Sequence, residues 1–147
     1  MEELFNNVQV EEKVVESKKR IYLLSINAPK KAQIEDLNKN YGDIEIVETS
    51  PEIKKFWLDI DNEVNMTCNE FCKRISEVIE DIKIKDVDIA WIEGDSFITR
   101  ILFQELKPLN IPVIYSVREI ELEEMMKEDG TIVDIVHVKH IRFHELR

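Results

Sequence analysis

Asp88-Ile-Ala-Trp-Ile-Glu-Gly-Asp-Ser-Phe-Ile-Thr-Arg100 is the stretch whose reading decides the fold. Its first half is a short apolar run, the pattern of a buried strand. Its second half starts a helix: Ile98, Ile101, Leu102, Leu106 and Leu109 repeat at helical spacing. Gly94-Asp95-Ser96 joins the two. In an open α/β sheet, ligands bind beyond the carboxyl ends of strands and beside helix N-termini. The turn is therefore a candidate site, although Asp95 or Ser96 serving only as a helix cap is the default reading of the residues.

Outward from this stretch, strand and helix patterns alternate. Arg20–Ile26 is an apolar run read as a central strand, and Pro29 suits the first turn of a helix over Lys30–Tyr41 that Gly42 ends. Asp43–Glu48 alternates as a second strand. Ser50 caps and Pro51 opens a short helix whose apolar face is Ile53, Phe56, Trp57 and Ile60. Thr67-Cys-Asn-Glu70 is a capping box. It opens an amphipathic helix with Cys68, Phe71, Cys72, Ile75, Val78, Ile79 and Ile82 inward, and with Lys73, Arg74, Glu77, Glu80 and Asp81 outward. Ile111–Val117 is another buried strand, with Pro112 tolerable at its start. This order predicts a mostly parallel sheet with helices on both faces. The tail changes period: Glu128-Asp-Gly130 signals the turn of a C-terminal β-hairpin. Residues 1–19 read as an N-terminal extension of uncertain order, and residues 20–147 as a single domain.

Composition limits the function. The 147 residues suffice for one domain with a core. A net charge of −11, from 31 acidic and 20 basic residues, argues against duplex DNA or RNA as a partner. No apolar run reaches the roughly 18 residues of a membrane span, and the acidic start is unlike a secretory signal. These readings predict a cytoplasmic protein with no membrane partner. The two cysteines, Cys68 and Cys72, read as core residues on the apolar stripe of their helix; they form no zinc pattern with histidine. No cofactor or metal is expected: there is no Walker loop, no G-x-G-x-x-G and no nucleophile elbow.

Three strand ends should meet on one edge of the sheet. They carry Ser25 and Asn27, then Gly94, Asp95, Ser96 and Thr99, and finally Ser116 and Arg118. Strict alternation along the last strand puts His140, Arg142 and His144 on one face, with Val136 and Val138. Imidazole exchanges protons near neutral pH and guanidinium matches phosphate, so the group suits phosphodiester chemistry. An exposed polar strand end is the other reading.

Five blocks together resemble a known family: Ile21-Tyr-Leu-Leu-Ser-Ile-Asn27, Ser50-Pro-Glu-Ile-Lys-Lys-Phe-Trp57, Ile92-Glu-Gly-Asp-Ser-Phe-Ile-Thr99, Ile111-Pro-Val-Ile-Tyr-Ser-Val-Arg118 and Val138-Lys-His-Ile-Arg-Phe-His144. In order and spacing, from Arg20 to the C-terminus, they resemble the small single-domain CARF-type ring nucleases of type III CRISPR systems. The resemblance implies a Rossmann-like homodimer. It would bind a cyclic oligoadenylate, foremost cyclic tetra-adenylate, across its two-fold axis and cleave it without metal, ending an antiviral signal. It also implies that Ser25, Gly94, Asp95, Ser96 and Thr99 cradle the ligand while Arg118 and Arg142 balance phosphate charge. His140 or His144 would then act as acid or base. The family's turn carries a second glycine and its first strand ends in Ser-His; this chain has Gly94-Asp-Ser-Phe-Ile-Thr99 and Ser25-Ile-Asn27 there. A non-cleaving binder of the same messenger, and a regulatory interaction module on a flavodoxin-like fold, are the competing expectations.

Overall fold

The computed structural model describes residues 18–60 and 66–147. The expected N-terminal extension lies outside the described residues except for Lys18 and Lys19, and Lys19 already begins the first strand. The elements are β1 (Lys19–Leu24), α1 (Lys31–Tyr41), β2 (Ile44–Glu48), α2 (Pro51–Asp59), α3 (Cys68–Lys85), β3 (Ile89–Ile92), α4 (Ser96–Leu106), a 3-10 turn (Lys107–Leu109), β4 (Val113–Met126) and β5 (Ile132–Glu145). The strands form one sheet in the order β2-β1-β3-β4-β5. The first four are parallel and β5 is antiparallel to β4.

The central strands β1 and β3 and the start of β4 are apolar on both faces because both are covered. One face buries Tyr22, Leu24, Ala90, Ile92 and Val113 against α2, α3 and α4. The other buries Ile21, Ile89, Trp91 and Ile114 with Leu37 of α1. From β1 the chain moves to one side of the sheet and from β3 to the other. Strand order therefore reverses between β1 and β3, and a crevice opens beyond their carboxyl ends. No helix among the described residues is long and apolar enough to cross a membrane.

Several expectations need correction. Cys68 and Cys72 are exposed rather than in the core. With 18 residues, α3 is about 27 Å long, and strands of four to six residues span only about 13–20 Å. The apolar stripe of α3 is fully buried only from Ile75 onward, with Phe71 packed partly buried against the core.

Asp81 is buried, not on the outer face. Its carboxylate accepts hydrogen bonds from Tyr22 Oη (2.7 Å), Ser50 Oγ (2.6 Å) and Ser50 N–H (3.1 Å), and Lys85 Nζ lies 3.2 Å away. Burial alone would raise its pKa, yet the bonds from Ser50, Tyr22 and Lys85 hold it below the usual carboxylate value. Burial, and then the neighbouring carboxylate, push the Tyr22 phenol well above its ordinary value. Ser50 occupies the N-cap of α2 as expected, but its hydroxyl serves Asp81 instead of the helix.

The tail differs most. The buried strand after Pro112 and the first arm of the hairpin are one 14-residue strand, β4. Beyond Arg118 it and β5 leave the body as a two-stranded ribbon, closed by the expected turn with Gly130 at φ +86°. The pairing shifts between Val117, opposite Arg142, and Arg118, opposite His140. Ile141 is thus an extra residue, a β-bulge. Alternation breaks there, so His140 and Phe143 share the α1 side, with their rings 4.7 Å apart. Arg142 and His144 pair with Val117 and Tyr115 of the opposite face. The expected single face of His140, Arg142 and His144 does not exist.

Candidate functional site

The site begins with Trp57. Its Nε1 donates to the Glu93 carbonyl oxygen at 2.8 Å, and its ring lies directly against Gly94. A Cβ at residue 94 would stand 2.7 Å from Trp57 Cζ2, and φ there is +154°. Close approach and backbone conformation both require glycine. Asp95 then caps α4, its Oδ1 accepting from Phe97 N–H (2.9 Å) and Ile98 N–H (3.0 Å). Thr99 is buried, and its hydroxyl donates to the Asp95 carbonyl at 2.7 Å. The cap therefore uses the Phe97 and Ile98 N–H groups that a phosphate would otherwise meet. The N–H of Ser96 remains beside the cavity described next.

Glu93 directly follows β3, its carboxylate on the same side as Trp91. Its Oε1 accepts from Trp91 Nε1 (2.8 Å) and from the Ser116 N–H (2.5 Å), and its Oε2 lies 3.9 Å from Arg118 Nη2. This carboxylate ties the end of β3 to β4 at the point where the two strands separate. Beyond it lies a cavity of about 830 Å³. Gly94, Ser96, Thr99, Ser116 and Arg118 line it, together with Glu93, Arg100 and Tyr115 and, from the ribbon's root, Ile120 and Val138. A smaller cleft of about 160 Å³ at the strand-order reversal takes in Asn27, Gly94, Asp95 and Arg118.

Most of the expected strand-end residues thus meet. Five line the larger cavity; Asn27 and Asp95 line only the cleft next to it. Ser25 lines neither, and its Oγ accepts the Asn27 N–H at 3.1 Å in a local turn. Arg142 and His144 stand apart from both cavities, with the His144 ring 5.3 Å from that of Tyr115. The His140 side chain is 4% exposed and both ring nitrogens are engaged, Nδ1 by Ser116 Oγ (2.5 Å) and Nε2 by Asp36 Oδ2 (2.8 Å). It has no nitrogen left to face a ligand.

Sequence reasoning missed Glu93, Arg100 and Asp36. Glu93 carried a usable signal: it continues the alternation of Ile89 and Trp91 at the carboxyl end of a buried strand. Asp36 carried none, because its partner lies 104 residues away. Among the described residues no group of histidine, cysteine and carboxylate side chains is arranged to hold a metal.

A mostly parallel sheet with its strand order reversing beside β1, and a cavity over its carboxyl edge, places the chain in the class of open α/β folds. The chain belongs to the MJ1673 family of uncharacterized proteins, whose model matches residues 18–144. No curated protein and no solved structure matches it.

Proposed function

We propose that this chain is a homodimeric, CARF-type Rossmann-like ring nuclease that binds and cleaves a cyclic oligoadenylate, foremost cyclic tetra-adenylate. The supporting observation is the 830 Å³ cavity on the carboxyl edge, because it gathers Gly94, Ser96, Thr99, Ser116 and Arg118 with a second guanidinium, Arg100. Its volume falls within the range of small-molecule sites. Two arginines beside serine and threonine hydroxyls suit an anionic, ribose-bearing ligand. Tyr115 adds an aromatic wall on which a base can stack.

The chemistry is intramolecular. A ribose 2′-hydroxyl attacks the adjacent phosphorus in line, the bond to the 5′-oxygen breaks, and a 2′,3′-cyclic phosphate forms. Holding the attack geometry and neutralising the extra charge supply most of the acceleration. Arg100 and Arg118 neutralise that charge; Ser96 gives the ring an approach to the backbone at the start of α4. A two-fold dimer matches a ring of identical nucleotides by offering the same groups to opposite edges. The ribbon is the dimer surface in this reading: Ile120, Leu122, Val136 and Val138 form two cross-strand pairs on one exposed face.

A non-cleaving binder is the second reading. What favours it is the position of His140, Arg142 and His144, none of which lines the cavity.

The test is incubation with labelled cyclic tetra-adenylate in EDTA, followed by separation of products. Linear di-adenylates with cyclic phosphate ends are expected. An intact ring at stoichiometric protein, with the ligand bound, selects the binder. Failure to bind rings of any size removes both readings. Replacing Leu122 by Asp should convert the dimer to monomer in sedimentation.

A further inference from the structure

Ser116, His140 and Asp36 come from β4, β5 and α1 and form one hydrogen-bonded chain at the cavity's edge. Asp36 Oδ2 is 2.8 Å from His140 Nε2, and Ser116 Oγ is 2.5 Å from His140 Nδ1. A carboxylate only accepts, so Nε2 carries the proton toward Asp36. In the neutral ring Nδ1 is then the bare nitrogen, and the Ser116 hydroxyl donates to it. The His140 ring is packed on Phe143 and almost fully buried, so its orientation is fixed. The Ser116 backbone is fixed too, by its N–H bond to Glu93. A serine whose hydroxyl points at the bare nitrogen of a carboxylate-braced imidazole is a polarised hydroxyl. Ser116 also lines the cavity. It sits within a regular strand, not on an exposed turn, which suits passing a proton better than attacking an electrophile.

We propose that Ser116 is the proton-transfer residue of the cavity and that His140 and Asp36 position and charge it; for the substrate, this rests on the cyclic oligoadenylate reading. As the ribose O2′ bonds to phosphorus, its proton moves to Ser116 Oγ while the serine proton moves to His140 Nδ1. Asp36 holds the resulting imidazolium through Nε2–H. When the bond from phosphorus to O5′ breaks, the proton returns through Ser116 to the departing O5′. No proton, water or metal is consumed overall. His140 takes part without touching the ligand, which accounts for its buried position.

Two measurements on the full chain test this. In the first, binding and single-turnover cleavage of cyclic tetra-adenylate are compared for wild type, Ser116→Ala and His140→Gln. Both variants should bind within about three-fold of wild type and cleave about a hundred-fold more slowly. Wild-type cleavage by Ser116→Ala overturns the proposal. The second does not depend on the ligand: iodoacetamide alkylation of Ser116→Cys, with exposed Cys68 and Cys72 as internal standards. Ser116 is buried, so the rates are compared at position 116 itself: the thiol should react about ten-fold faster beside His140 than in the His140→Gln background. Equal rates in the two backgrounds overturn the relay. A fast, His140-dependent thiol in a chain that binds no ring keeps the relay and removes the proposed substrate.

Discussion

Val113–Ser116 and Ile120–Met126 belong to the same strand and live in different solvents. The first four residues run beside β3, and three of them are buried. The last seven are exposed, including Ile120 and Leu122 at 67% and 68%. Both halves pair with β5, in a register that runs from Ile114 to Met126. What separates them is a third layer. The body half has α4 on one side and α1 on the other; the ribbon half has only its partner strand. Hydrogen bonding to a neighbour makes a strand, but burial against another layer makes it contribute to stability, and a lone two-stranded ribbon is marginal in water. Stability should therefore be concentrated in the body.

The contrast can be broken by substitution. Leu102→Ala, at a fully buried position of α4, should cost about 3 kcal/mol in urea unfolding, from lost burial and the cavity left behind. A loss under about 1 kcal/mol there would mean that the body is loosely packed. Asp81→Asn should cost about 2 kcal/mol, since it weakens a buried acceptor of three hydrogen bonds and an ion pair.

Its pH dependence has a definite sign. The Asp81 carboxyl is held below its ordinary value when folded. Its contribution is thus complete above the unfolded value of about 3.9 and disappears as pH falls through the lowered one. The gap between wild type and variant should stay constant from pH 7 to 5 and narrow below about pH 4. A gap that widens on acidification would reverse the assignment.

Gly94→Ala should cost about 1–2 kcal/mol, because the new methyl meets the Trp57 ring. It should also quench or shift tryptophan fluorescence, which locates the disturbance at the turn. The smallest effect is expected at Leu122→Ala, within about 0.5 kcal/mol at a concentration where the chain is monomeric. A larger loss there would show that the ribbon supports the body after all.

How much of this was legible beforehand follows the range of the interactions. Local signals read true. Thr67 and Glu70 make both bonds of the capping box, at 3.2 and 3.4 Å. Gly42 ends α1, and Asp95 caps the helix after the central turn. The gathering of strand ends over the sheet's edge was also legible, because alternating strands and helices dictate a parallel sheet. Asp81 was misread because charge on a helix suggests solvent, while Tyr22 and Ser50 lie 59 and 31 residues away. The cysteines were misread because helical periodicity tells which way a residue points and not whether anything stands opposite. The candidate catalytic face failed for a subtler reason: period-two counting assumes an unbroken ladder, and nothing local to Ile141 marks the break.

The bulge at Ile141 acts as a phase setter. Were the pairing regular from Arg142 onward, residue 141 would face Arg118 and His140 would point away from Ser116 and Asp36. Deleting Ile141 would leave every remaining cross-strand partner in place and keep His140 opposite Arg118. Only the local coiling that aims the ribbon would be removed. One residue thus separates two properties that usually travel together in a sheet, namely which side chains meet and in which direction the strands run. The heading of the arm can be adjusted there without rewriting any pair.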